Sequence, residues 1–301
     1  MGTTPRALSG LAFATLVLVA LMMGANHVAA RLAFDSGADV TTAVAVRSGV
    51  TGAATALLLF VQGVSLRLNR RQWGALLAIG LLIGVQSIWL YSAVARLPVA
   101  LALLAFNTYP LCTALWARVL LRQPLERRLV VAMAVLLVGL ALALDVLGAS
   151  SGLGVSGQWQ RIGAGVAFAI AASLIFSLAL VLTQHGAGDV DGRVRTCVSM
   201  AVAGIVALLV VASRGGFHWP ASPAGWWGLA LLTLLYGTGI TVLLTVLPRL
   251  GVVGNTAIMN VEPVFALVLA WFILGQAIAP VQVLGALIVV GAVVWLGVRR
   301  R

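Results

Sequence analysis

Residues 98–123 read PVALALLAFNTYPLCTALWARVLLRQ, and residues 251–276 read GVVGNTAIMNVEPVFALVLAWFILGQ. Each is long and apolar enough to cross a hydrocarbon core, which takes about 20 residues of helix. Each also carries Asn-x-x-Pro at the same register, Asn107/Pro110 and Asn260/Pro263, followed thirteen residues after the proline by Gln123 or Gln276. A proline inside a helix removes a backbone hydrogen bond and kinks or breaks the rod. The chain therefore holds two similar spans, offset by 153 residues and interrupted at the same place.

Two further pairs keep nearly this spacing. Gly10-Leu-Ala-Phe-Ala14 returns as Gly165-Val-Ala-Phe-Ala169, and Trp73-Gly74 returns as Trp227-Gly228. Three matches in order at one offset indicate an internal duplication. Reading between the charges gives ten spans: 9–30, 41–64, 73–95, 98–120, 129–147, 162–184, 195–213, 226–248, 252–274 and 280–298. Each half holds five, an odd number, so the second copy must cross the membrane in the opposite sense. The expected fold is an all-α polytopic membrane protein with ten transmembrane helices in two five-helix inverted-topology repeats. The first repeat covers residues 1–148, an external linker 149–161, and the second repeat 162–301. Such architecture is typical of secondary transporters with a site near the midplane.

Composition agrees. Of 301 residues, 62% are hydrophobic and 9% charged, and the mean hydropathy is +1.11, which excludes a water-soluble globule. All nineteen basic residues are arginine, against seven acidic ones, for a net charge of +12. If the N-terminus is cytoplasmic, fourteen arginines fall on that side. Only Arg31, Arg96, Arg161 and Arg214 fall on the other, with Arg47 inside the second span. The positive-inside rule then puts both termini in the cytoplasm. The same asymmetry explains the net charge, so no nucleic-acid partner is needed. Arg6 followed by an apolar stretch resembles a signal peptide, but that stretch exceeds a typical h-region and has its own internal counterpart.

Glu262 is the sharpest single feature. It lies about 18 Å into the ninth span, where an acidic residue is costly and a functional role is the default reading. Burial raises a carboxyl pKa, which suits proton exchange near neutral pH. Asn107 and Asn260, at matching interruptions of the two halves, are candidate substrate-contacting residues together with Glu262 and Tyr109, since such positions mark a transporter site. Against this, Glu262 or Asn260 can satisfy backbone groups freed by Pro263, as Asn107 can beside Pro110. Arg47 sits about 9 Å below the outer surface. It either snorkels outward, pairs with Asp35 or Asp39, or lines a vestibule and recognises an anion through its planar fork. Tyr109 takes the place of Glu262 in the first copy. Gln86, Trp89, Tyr91, Phe176 and Tyr236 are candidate lining groups, although aromatics near span ends more commonly form interfacial belts. Asn26 and His27 read as interfacial.

Several residues resemble EamA-type proteins of the drug/metabolite transporter superfamily: Gly24-Ala25-Asn26, Val46-Arg47, Tyr109-Pro110-Leu111 and Asn260-Val-Glu-Pro-Val-Phe265. The resemblance covers essentially the whole chain as two tandem units. It implies a central cavity surrounded by spans 1–4 and 6–9, and export of amino acids or other small metabolites. The family often has Leu-Gly-Glu after spans 4 and 9, where this chain has Gln123 and Gln276.

No nucleotide-binding, zinc-protease or serine-hydrolase motif is present, and His27, His185 and His218 are dispersed. Cys112 and Cys197 form no metal or disulfide framework. The expectation is a non-enzymatic, cofactor-free and metal-free permease of the inner membrane, driven by a substrate or ion gradient. Its partners are a small-molecule substrate and the bilayer, with a homodimer left open. A membrane enzyme or lipid scramblase acting on a lipid-type substrate is the alternative.

Overall fold

The computed structural model describes residues 10–64, 67–122, 127–149, 151–250, 262–276 and 279–298. Among these every regular element is helical. They run α1 (Gly10–Asp35), α2 (Val40–Val61), α3 (Arg70–Val94), α4 (Val99–Phe106), α5 (Tyr109–Leu121), α6 (Arg127–Ala143), α7 (Gly154–Gly186), α8 (Gly192–Ser213), α9 (Pro223–Leu250), α10 (Glu262–Leu274) and α11 (Pro280–Val298). Seven segments among the described residues are long and apolar enough to cross a membrane; shorter apolar helices cover Ala134–Ala143, Glu262–Leu274 and Pro280–Ala292.

Local chemistry sets the helix ends. The Asp39 carboxylate accepts from the Thr42 N–H at 2.8 Å and caps α2, and Asp191 caps α8 through the Arg193 N–H at 2.8 Å. Asn69 and Gln72 form a reciprocal capping box at the start of α3. The expected fourth span is split at Asn107-Thr108 into α4 and α5. Pro110 falls in the first turn of α5, where its missing N–H leaves nothing unsatisfied. α7 begins at Gly154, inside the stretch 149–161 expected to connect the halves. Gln158 anchors that extension: its amide donates to the Leu144 carbonyl at 3.0 Å and accepts from Ser151 Oγ at 3.1 Å.

The helices pack in matching pairs. α1 lies along α9 as α7 lies along α3, α2 pairs with α8, α6 with α11, and α1 meets α10 as α7 meets α4 and α5. Some pairs leave no room for a side chain. A Cβ on Gly228 would come within 2.7 Å of the Ala29 carbonyl, so α1 and α9 touch backbone to backbone. α4 is buried along Val99–Ala105, and the outer surface carries Leu57, Phe60, Leu209 and Phe272, each more than half exposed. An apolar perimeter of this size suits lipid contact.

Loops tie the two ends of the bundle. At the end that carries Asp35, Ala221 N–H donates to the Ser36 carbonyl at 2.8 Å and the Ser222 hydroxyl to Ser36 Oγ at 3.0 Å. There the Asp39 N–H also donates to the His218 carbonyl at 3.3 Å, and the His218 N–H to Thr42 Oγ1 at 3.0 Å. At the opposite end Gln72 Nε2 donates to Asp189 at 2.8 Å, and Arg193 donates to Gln62.

Candidate functional site

A polar cluster forms where α1, α2, α3, α9 and α10 converge. Its hub is the Tyr91 phenol, 1% exposed, which donates to Asn26 Oδ1 at 2.7 Å and accepts from Arg47 Nη1 at 2.9 Å. Arg47 Nη2 donates to Ser87 Oγ at 2.8 Å. The Tyr236 ring covers the guanidinium, with its centroid 3.8 Å from Cζ, and the Tyr91 ring stands at 4.8 Å. This geometry is a desolvated cation–π arrangement. His27 and Tyr91 form an edge-to-face pair with centroids 5.6 Å apart, and His27 Nε2 lies 3.3 Å from Glu262 Oε1. Arg47, Tyr91, His27 and Glu262 are thus one continuous chain of contacts.

The backbone explains why these groups meet. Gly24 presses on the start of α10: a Cβ there would lie 3.0 Å from the Glu262 carbonyl and 3.1 Å from the Ala266 N–H. Three residues further along α1, His27 reaches Glu262 at this junction, while Asn26 beside it turns to Tyr91 on α3. α1 continues to Asp35, so His27 is well inside the helix and 6% exposed rather than interfacial. Sequence reasoning undervalued Asn26 and His27 because the first span was expected to end near residue 30, and passed over Ser87 because a lone serine in an apolar helix carries no signal by itself. A polar pair eight or nine residues before a helix end would have been the signal.

Of the three readings of Arg47, the structure rejects snorkelling and pairing with an aspartate. The side chain is 3% exposed, Asp35 pairs with Arg31 at 2.8 Å, and Asp39 is committed to capping α2. Tyr109 packs on Phe106 and Phe176 at 5.7 and 5.2 Å. Gln86 is buried on α3 beside Ser87. Asn107 does not reach the cluster; its amide donates to the Leu103 carbonyl at 3.0 Å and closes the end of α4. Pro110 and Pro263 occupy the first turns of α5 and α10. Asn260 and Gln123 lie outside the described residues. Gln276, where the family often has glutamate, accepts from the Val99 N–H at 3.1 Å and caps α4, a task that needs no charge.

Known proteins match this chain along its whole length. The EamA-like transporter family matches residues 9–144 and, a second time, 163–298. The chain belongs to that family. Among EamA-like relatives, the threonine/homoserine exporter RhtA of Escherichia coli K12 is 27% identical over 278 residues, covering 91% of this chain and 87% of RhtA. An uncharacterized transporter of Clostridium kluyveri is 24% identical over 295 residues, with 93% and 91% covered. A solved crystal structure superposes with a TM-score of 0.61 at 21% identity, covering 94% of this chain and 98% of that one, which supports the fold alone. Family, relatives and apolar helices together make this a multi-pass membrane transport protein acting on a small molecule in the bilayer, and point away from an enzyme.

Proposed function

We propose that this EamA-like protein is a secondary transporter that exports small polar metabolites, amino acids or related compounds, across the cytoplasmic membrane by alternating access. The observation that carries the reading is the chain of buried Arg47, Tyr91 and His27 leading to the partly exposed Glu262, at the junction of helices from both halves. Ionisable groups inside a membrane bundle are costly and mark substrate or proton pathways. The threonine/homoserine exporter relative supports an amino-acid cargo.

Alternating access requires two halves that rock about the site, here residues 1–148 and 162–301 in inverted topology with both termini cytoplasmic. The paired packing supports this, and the loop contacts do so more sharply. Ser36 and Ser222 meet at one end of the bundle; Asp189 and Gln72 meet at the other. Ser36 and Asp189 are 153 residues apart, as are Asn69 and Ser222, the polar residues that begin α3 and α9. The same latch, between the turn after the first helix of one half and the start of the third helix of the other, thus recurs at opposite ends. Both latches are closed in this structure, and opening either one exposes the site to one side.

Glu262 carries proton coupling in this scheme, with His27 as the group that receives or returns the proton. The test is efflux of L-threonine and L-homoserine from liposomes, with and without an imposed pH gradient. Wild type should respond to the gradient, and Glu262→Gln should retain slow flux that ignores it. Equal responses from both proteins would remove the coupling claim and leave facilitated efflux.

A further inference from the structure

We infer that Arg47 and Thr51 form a subsite for the carboxylate of the transported solute, so that an acidic group is required for recognition. The inference rests on the export reading above but concerns binding, which is measured separately. Arg47 is the anomaly that prompts it. Its guanidinium is buried, yet the ion pairs of the described residues are His27–Glu262, Arg31–Asp35 and Arg193–Asp191, and Arg47 is in none of them. Its neighbours are the neutral Tyr91 and Tyr236, whose rings lie 4.8 and 3.8 Å from Cζ. A buried charge without a counter-charge is strongly unfavourable. An occupant that brings a negative charge relieves that cost, and two terminal nitrogens already anchored on Tyr91 and Ser87 hold the fork in place for it.

The remaining donor shows where that occupant sits. Arg47 Nε is buried with no hydrogen-bond partner, and so is Thr51 Oγ1. Residues four apart on a helix share one face, so both unsatisfied groups lie on the same side of α2. Both are covered by consecutive residues of α9. Tyr236 lies over the guanidinium at 3.8 Å, and Gly237 is so close that a Cβ on it would be 3.1 Å from Thr51 Oγ1. A carboxylate has two oxygens and accepts on both. One oxygen takes the Arg47 Nε–H and the other takes the Thr51 hydroxyl, after α9 has moved off α2 to admit it. An amide or ester offers a carbonyl to one donor but leaves the guanidinium without a counter-charge. The Tyr91 phenol links this subsite directly to Asn26, and its ring to His27 beside Glu262. A solute with a carboxylate at one end and hydrogen-bond donors at the other therefore spans the cluster.

The test is equilibrium binding to the purified protein in detergent, read by ligand-induced shifts of the unfolding temperature, with parallel efflux from liposomes. The probes are L-threonine, L-threoninamide and acetate. Wild type should bind L-threonine at least roughly tenfold more tightly than the amide, the factor expected of one charge-assisted hydrogen bond. Thr51→Val should weaken L-threonine several-fold and leave the amide unchanged. Arg47→Gln should make acid and amide equal, and Arg47→Lys should recover charge preference without full affinity, since a point charge cannot replace a fork. If Arg47→Gln fails to fold, Thr51→Val and the wild-type ligand series still decide. Equal affinity of wild type for acid and amide, absence of binding by both L-threonine and acetate, or an unchanged acid-to-amide ratio in Thr51→Val overturns the inference. Binding with the expected discrimination but without efflux upholds the subsite and removes the export reading.

Discussion

Tyr91→Phe removes one oxygen atom from the centre of this protein and nothing else. The ring remains, so the contacts with His27, Phe34 and the Arg47 guanidinium at 5.6, 5.8 and 4.8 Å are retained, and no cavity opens. What goes is the donor to Asn26 Oδ1 at 2.7 Å and the acceptor for Arg47 Nη1 at 2.9 Å, both fully buried. A neutral hydrogen bond contributes about 0.5–1.5 kcal/mol and one to a charged group about 1.5–3. Interhelical hydrogen bonds in a membrane protein average only about 0.6 kcal/mol, because the unfolded chain in the membrane finds other partners. For Arg47 that escape is narrow: the guanidinium stays charged and, besides its ring contacts, keeps only Ser87 as a hydrogen-bond acceptor. The expected loss is therefore about 2 kcal/mol, above the membrane average. Reversible unfolding of the purified protein in mixed micelles measures it. A double-mutant cycle with Asn26→Ala isolates the Asn26 share, and the two changes should fall short of additivity by about 1 kcal/mol. A loss under about 0.5 kcal/mol, or strict additivity, would refute the claim that Tyr91 is the hub.

Other perturbations address the frame around the site. Gly24→Ala brings a methyl group within 3.0–3.3 Å of Glu262, Ala266 and Phe265, so α10 must shift by a few tenths of an ångström. The cost should be about 1–3 kcal/mol, seen as a lower unfolding temperature together with slower transport. Burial raises the pKa of Asp39, but hydrogen bonds from Thr41 and Thr42, with His218 nearby, outweigh it and hold the carboxyl below its ordinary value. A depressed folded-state pKa contributes stability above the unfolded value of 3.8 that is lost as pH falls through the folded one. Asp39→Ala should therefore cost about 1 kcal/mol near neutral pH and lose that part of the acid dependence in unfolding scans. Paired cysteines introduced as Ser36→Cys with Ser222→Cys should cross-link one end of the bundle. Gln72→Cys with Asp189→Cys, whose native side chains meet at their tips, should bridge the other end through a short bis-methanethiosulfonate reagent rather than a direct disulfide. Each pair should arrest efflux until a reductant is added, and continued efflux with either link closed would contradict the two-latch scheme.

The helices were legible because the bilayer imposes a single solution on a chain with so few charges. Apolar length and the spacing of arginines located α2, α3, α8 and α11 to within a few residues. The Asn-x-x-Pro motif located the break between α4 and α5, since a proline denies the backbone a hydrogen bond wherever it falls. α1 and α7 were misjudged at one end each. Arg31 and Arg161 read as boundaries, yet Arg31 turns back to pair with Asp35 and to reach the Val94 and Leu97 carbonyls, so the helix runs on past its charge.

The site divides along the same line. Glu262 and Arg47 stood out in the sequence because a charge within an apolar run is conspicuous by itself. His27, Asn26 and Ser87 did not, because small polar residues and a lone histidine are common in membrane helices and carry no signal until a partner is known. Sequence alone determined that the chain is a duplicated helical membrane protein with isolated charges in its interior, because hydrophobicity and repetition are properties of the linear order. Only the tertiary structure decided that Arg47 faces inward without an acid, that His27 meets Glu262, and that Tyr91 joins them. Those facts depend on which helix faces which, and side-chain packing across the bundle, rather than spacing along it, sets that choice.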